Sequence, residues 1–255
     1  MTFSRNLIAA LLAAALAGIS TASFAQATID HNKALAGGVT PGDAPGYPIH
    51  IYQSGHYVLK SNLVVPANTS GILVNAPNVT IDLNGFSITG DKTCTRNAVS
   101  YGVTCTGGTL TAGVVANAAS AHAMVVRNGR IDGFTWGVSV VSASAIEDMT
   151  LSLNGVGVAM SDNPSSHGAS RLVRSTVSMN ALGARTSSAG LTITDSTFTR
   201  NDRALFNTGG ADPAALSNTS IIGNRLGFES GAFGVRGIYF NDNKSIAPSA
   251  TLTPF

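Results

Sequence analysis

The phrase Asn154-Gly-Val-Gly157-Val158 decides the fold, because it returns. It recurs as Asn180-Ala-Leu-Gly183-Ala184, as Asn201-Asp-Arg-Ala204-Leu205 with Ala for Gly, and as Asn224-Arg-Leu-Gly227-Phe228. One unit earlier, Gly137-Val138 fills the glycine–apolar slot, with Phe134 where the Asn would stand. The slot thus falls at 137, 157, 183, 204 and 227, in steps of 20, 26, 21 and 23 residues. A period of that length without a helical pattern predicts a stacked β-architecture.

Six residues before each slot stand Ile131, Leu151, Val177, Phe198 and Ile221, and eleven before it stand Val126, Ile146, Leu172, Ile193 and Leu216. Both columns are wholly apolar, so both point into one shared core. Nine residues before the slot stand Asn128, Asp148, Arg174, Asp195 and Asn218, all polar, which marks a turn at the surface. Each unit is therefore a set of short apolar strands separated by polar or glycine-rich corners. One unit cannot bury its apolar faces alone; stacking like on like makes a continuous core, with strands of successive units paired in parallel at roughly 4.8 Å. The recurrent Asn is expected to hydrogen-bond backbone at a corner, and Gly to supply a conformation other residues avoid.

Two further stretches carry the same rhythm: Val79-Thr-Ile-Asp-Leu-Asn-Gly-Phe-Ser-Ile-Thr-Gly90 and Val125-Val-Arg-Asn-Gly-Arg-Ile-Asp-Gly-Phe134. With the repeat, they resemble the pectate-lyase-like superfamily over residues 47–245. The resemblance implies an all-β fold, a single-stranded right-handed parallel β-helix (solenoid) of about eight turns. It implies a polysaccharide-directed role but no particular activity, because this fold hosts lyases, hydrolases, epimerases, adhesins and inert scaffolds.

The 255 residues are 11% charged and 44% hydrophobic, with a net charge of +2, enough for one sizeable core in one domain. The 15 Lys and Arg are spread along the chain, not gathered in a basic stripe, which argues against a nucleic-acid partner. Residues 1–25 read as a signal peptide. Arg5 supplies the positive start, Leu7 to Ile19 is an apolar run too short to span a bilayer, and Ser23-Phe24-Ala25 places small residues for cleavage after Ala25. The expectation is a secreted or periplasmic protein, monomeric and without a membrane span. Residues 26–48 form a Gly- and Pro-rich lead expected to cover the first turn, the β-helix occupies 49–245, and 246–255 are a tail with little pattern. An inserted loop at 91–112 interrupts the repeat and holds the two cysteines, Cys94 and Cys105. Export makes these a disulfide pair, and the loop is expected to project and wall a groove. A second insertion, 161–170, contains Asp162 and His167.

Two surfaces are candidates for function. Asp148, Arg174 and Asp195 share one place in three consecutive units, with Glu147 and Arg171 beside them. In a polysaccharide lyase such a column would supply a base, Arg174, and hold a uronate or Ca²⁺; otherwise it is a surface salt-bridge ladder. No lyase motif is matched residue by residue, and the sequence calls for no other cofactor or metal. The second surface is a hydroxyl face. Thr150 and Ser152, Thr176 and Ser178, and Thr197 and Thr199 flank the inward residue of each strand, and alternation puts both members of each pair outside. Such a face can dock glycans, is similar to the ice-binding faces of some solenoids, or is a plain exposed sheet. The expectation is therefore a β-helix that binds extracellular polysaccharide as a recognition or surface-structural module, with β-elimination on a uronate polymer as the alternative. His50 and His56 flank the first strands, and two scattered histidines make no metal site.

Overall fold

The computed structural model describes residues 26–117, 120–141, 143–160, 169–186, 191–208, 213–247 and 249–255. The signal segment, and Asp162 and His167 of the second insertion, lie outside the described residues.

The chain winds as a coil with three parallel faces. The front face runs from Ala27–Ile29 through Gly55–Leu59 and Arg171–Val173 to Ala250–Pro254. The side face runs from Leu63–Val64 through Thr176–Ser178 and Thr197–Thr199 to Tyr239–Asn241. Val125–Asp132 and Ala145–Ser152 pass through the corner without a break, so front and side form one 16-stranded sheet. The back face is an 8-stranded sheet from Ile49–Ile51 to Leu226–Phe228, one strand per turn. The protein is thus an all-β parallel β-helix of about eight turns.

The apolar columns of the sequence are the registers of this coil. On the front, Val126 pairs with Ile146, then Leu172, Ile193 and Leu216 follow in turn. On the side, Ile131 is followed by Leu151, Val177, Phe198 and Ile221. On the back, Val138 is followed by Val158, Ala184, Leu205 and Phe228. All of these side chains are buried in one continuous core. Front to side, the step is the same in every one of these turns (Ile146 to Leu151, Leu172 to Val177, Ile193 to Phe198), and so is the step from side to back (Leu151 to Val158, Val177 to Ala184, Phe198 to Leu205). Only the return from back to front varies: Val138 to Ile146, Val158 to Leu172, Ala184 to Ile193, Leu205 to Leu216.

Two corners are set by left-handed residues. At the front–side corner, Asn128, Asp148, Arg174, Asp195 and Asn218 have φ of 62, 54, 47, 51 and 47°. Asn and Asp tolerate this region best, which is why the polar column reads as it does. After it, Ser175 and Ser196 are buried and their hydroxyls accept from the backbone N–H one turn below, Met149 at 3.1 Å and Ser175 at 3.2 Å.

At the side–back corner the recurrent Asn forms an internal ladder. Asn154 N–H donates to Asn180 Oδ1 at 2.9 Å, Asn180 to Asn201 at 3.0 Å, Asn201 to Asn224 at 2.8 Å, and Asn224 to Asn243 at 3.0 Å. Each amide Nδ2 then donates to a carbonyl of the turn below, Asn180 to Leu151 at 3.1 Å and Asn201 to Val177 at 2.9 Å. Asn154, Asn180, Asn201 and Asn224 are 0% exposed. The glycine slot beside this ladder is a close approach: a β-carbon on Gly157 would lie 2.7 Å from the Gly183 oxygen and 2.8 Å from Val177 Cγ1. Gly157→Ala should therefore lower stability by about 1–3 kcal/mol, read as a lower urea midpoint at unchanged m-value.

The lead closes the base. Ala27–Ile29 pairs with Tyr57–Leu59, and a short helix, α1 (His31–Ala36), buries Ala34 against the core. Asp30 caps it by accepting from Lys33 N–H at 2.8 Å, and Asp43 ties the following loop to His50 N–H at 2.8 Å. At the top, the patternless tail forms the strand Ala250–Pro254 on Gly231–Val235, leaving Leu252 38% and Phe255 60% exposed.

The 91–112 insertion differs from expectation. It holds an antiparallel hairpin, Thr93–Arg96 against Val103–Thr106, closed by the Cys94–Cys105 disulfide. The hairpin does not project. It lies along the side–back corner and ends on the upper turns: Arg96 Nη2 donates to the Gly223 oxygen at 3.0 Å, and the Tyr101 hydroxyl donates to Asp242 at 3.1 Å. The Arg96 guanidinium and the Lys244 ammonium lie 4.1 and 4.3 Å from the Tyr101 ring centre. Burial of Cys94 and Val103, together with these cation–π contacts, draws the loop onto the coil.

Candidate functional site

The front–side corner stacks Asp148, Arg174 and Asp195 in successive turns, since the flanking registers Thr150–Thr176–Thr197 hold them one above another. Asp148 and Arg174 meet as a two-bonded pair, Nε to Oδ1 and Nη2 to Oδ2, both at 2.8 Å. Arg171 makes a parallel pair with Glu147, Nη2 to Oε1 at 2.8 Å. Asp195 is exposed one turn above and acts on Arg174 through its field.

Lower on the same face is a pair the sequence reading missed. Asp82 accepts from Arg127 Nε at 3.0 Å, from Asn128 Nδ2 at 3.1 Å and from Asn84 N–H at 2.8 Å. The signal was present: Asp82, Arg127 and Glu147 each follow a core-column residue, Ile81, Val126 and Ile146. Asp82, Arg127 and Glu147 stand in register on this face, and Arg171, two positions off that column, reaches Glu147 with its guanidinium.

These pairs fix the protonation states. The hydrogen bonds from Arg174 hold the Asp148 carboxyl below the usual carboxylate range, and the Asp148 hydrogen bonds push Arg174 above the usual guanidinium value. Burial alone would raise Asp82, but its hydrogen bonds from Asn84, Asn128 and Arg127 outweigh that and hold it low. Both carboxyls are lower folded than unfolded. Their contribution to stability is complete above the ordinary value of 3.8 and is lost as pH falls through the lower folded values. The urea midpoint should accordingly decline on acidification through this range, and Asp82→Asn should make that decline shallower. An unchanged acid limb in Asp82→Asn would refute the assignment.

The Asp148 clasp favours the protonated form of Arg174. Both Asp148 oxygens are occupied by a guanidinium, so this donor set does not fit Ca²⁺. Among the described residues no group of three or more His, Cys, Asp or Glu is placed to hold a metal ion. His50 stacks on Tyr52 with ring centres 5.4 Å apart, whereas His56 Nε2 faces Asp82 Oδ2 at 4.0 Å, so these two histidines turn to different partners.

The hydroxyl rank beside the column is in register: Thr150 pairs with Thr176 and Thr176 with Thr197. Thr176 is exposed and Thr150 and Thr197 are half-buried. The second rank departs from expectation at Ser152, which is only 5% exposed. It lies two residues before Asn154, whose oxygen the Cys105 sulfur approaches at 3.5 Å, so the hairpin closes over that end of the strand. Ser178 and Thr199 of the second rank are half-buried like Thr150 and Thr197, so the accessible surface is the threonine rank with these two hydroxyls beside it and the charge column along its border, an arrangement that offers hydrogen-bond partners to a polyol.

No helix among the described residues is long and apolar enough to cross a membrane. The disulfide fits an oxidising, extracellular setting. Compared with known proteins, the chain matches no family model, no curated protein and no solved structure.

Proposed function

We propose that the protein is an exported, monomeric β-helix of pectate-lyase-like kind that binds extracellular polysaccharide without turning it over, as a recognition or surface-structural module. The carrying observation is the Asp148–Arg174 clasp. It favours a protonated Arg174, which supports a binding role over the proton transfer that a β-eliminating lyase would ask of it, with Glu147, Arg171, Asp195 and the Thr150–Thr176–Thr197 rank as contacts for a glycan. Stacked turns advance roughly 4.8 Å, close to the advance of one sugar in an extended chain. A glycan lying along the axis therefore meets an equivalent hydroxyl at each unit.

Two measurements test this. Incubation with pectate, alginate and other uronate polymers, with and without Ca²⁺, should give no rise in the ultraviolet absorbance of unsaturated products; a rise lost in Arg174→Ala would establish the lyase instead. Affinity electrophoresis in gels cast with the same polymers should show retardation, and the double variant Thr176→Arg/Thr197→Arg should abolish it. Undisturbed retardation in that variant would remove the threonine rank from the site.

A further inference from the structure

At the base of the coil, between α1 and the first full turn, lies a cleft of about 620 Å³ lined by Asp30, His31, Asn32, Lys60, Asn62 and Val64. The volume is in the range that holds a drug-sized ligand, which is also the size of a disaccharide. Its place in the fold is informative. Leu63–Val64 is the lowest strand of the side face, with Val64 paired to Thr89, so the cleft is the foot of the face that carries the threonine rank.

The chemistry of the lining is specific. Asn62 Oδ1 accepts from Ser87 N–H at 2.9 Å, which leaves its Nδ2 as a donor. Asp30 Oδ1 is engaged as the cap of α1. His31 places Nδ1 on the Tyr47 hydroxyl at 3.0 Å, and its Nε2 remains. Lys60 is held through its backbone, which donates to the Ile29 oxygen at 2.8 Å, while its exposed ammonium has no partner among the described residues. Arg127, Arg171, Arg174, Arg203 and Arg225, by contrast, each rest on a carboxylate. Val64 is 64% exposed and offers an apolar patch to the C–H face of a sugar ring. An unpaired ammonium beside amide donors, over such a patch, matches a sugar that bears a carboxylate.

We propose that this cleft takes the terminal uronate of a bound glycan, with Lys60 neutralising its carboxylate, while the rest of the chain runs up the side face. This rests on the binding function proposed above and adds a chain-end subsite with a charge requirement.

The test is titration of the mature protein with a short oligogalacturonate and with an uncharged cello-oligosaccharide of equal length, followed by calorimetry or by amide shifts. The oligogalacturonate should bind, more weakly as salt rises, and the uncharged chain should bind at least about tenfold more weakly. Lys60→Ala should cost the charged ligand about tenfold, and Lys60→Arg should restore most of it. Thr176→Arg should leave short-chain binding intact while weakening retention by the polymer. Equal binding of the two oligosaccharides, or an unaffected Lys60→Ala, would overturn the subsite. If polymer retention persists in that case, the side-face reading survives; if neither polymer nor oligomer binds, both fall together.

Discussion

Replacing Asn201 by Ala should lower stability by on the order of 3–5 kcal/mol, a substantial part of the roughly 5–15 kcal/mol that holds a typical domain folded. The side chain is 0% exposed and makes four hydrogen bonds. Its Oδ1 accepts from Asn180 N–H and from Asn180 Nδ2, both at 3.0 Å, and its Nδ2 donates to the Val177 oxygen at 2.9 Å and to Asn224 Oδ1 at 3.1 Å. Alanine takes these partners from the Asn180 N–H and the Val177 oxygen in a dry corner, and each orphaned buried group costs about 1–3 kcal/mol. Asn201→Asp keeps the acceptor but loses the donor and buries a charge, so it should be no better at neutral pH. Equilibrium urea unfolding decides: a loss below about 1 kcal/mol for the alanine variant would mean the ladder is not a stabilising network.

The second large effect is expected at the hairpin. Cys94→Ser with Cys105→Ser opens a loop with a sequence separation of 11, which chain entropy values at about 3 kcal/mol. For a chain of this size the melting temperature should fall by roughly 6–12 °C. Tyr101→Ala keeps the cross-link but removes the hydroxyl bond to Asp242 and the ring between Arg96 and Lys244. It should raise amide hydrogen exchange around Gly223 and Asp242 while the lower turns stay protected. Uniform exchange over the whole coil in Tyr101→Ala would show that the hairpin does not pin the upper turns.

The coil itself was legible because its signal is redundant. Five units repeat the same apolar columns, and the period places Ile146, Leu172 and Ile193 in one core without any tertiary knowledge. The Asn column was legible as a corner for the same reason, though not as a ladder of amides, since bonds between units leave no trace within one unit. What lacks repetition was not legible. The contact of Arg96 with Gly223 spans 127 positions and obeys no period. Helix α1 is six residues long, too short for a hydrophobic periodicity, and only Asp30 and Gly37 announce it. The tail strand Ala250–Pro254 acquires its conformation from Gly231–Val235 beneath it, not from its own pattern. At the candidate site, the stacking of Asp148, Arg174 and Asp195 followed from the columns. The pairing of Asp148 with Arg174 required side-chain geometry.

The unequal return from back face to front face also bears on how such a chain can change. Duplication of a unit, or an insertion at Val158 to Leu172, leaves every strand in register, because neither fixed step is touched. One extra residue between Phe198 and Leu205 would turn the back strand over and put core residues outside. The turn below Val126 admits the Cys94–Cys105 hairpin at its side-to-back step, between Ile88 and Val114, whereas from Val126 upward the coil elaborates one margin and keeps the other two to length. A foreign peptide grafted at that margin would be displayed without cost to the ladder of asparagines on the far side of the back strand.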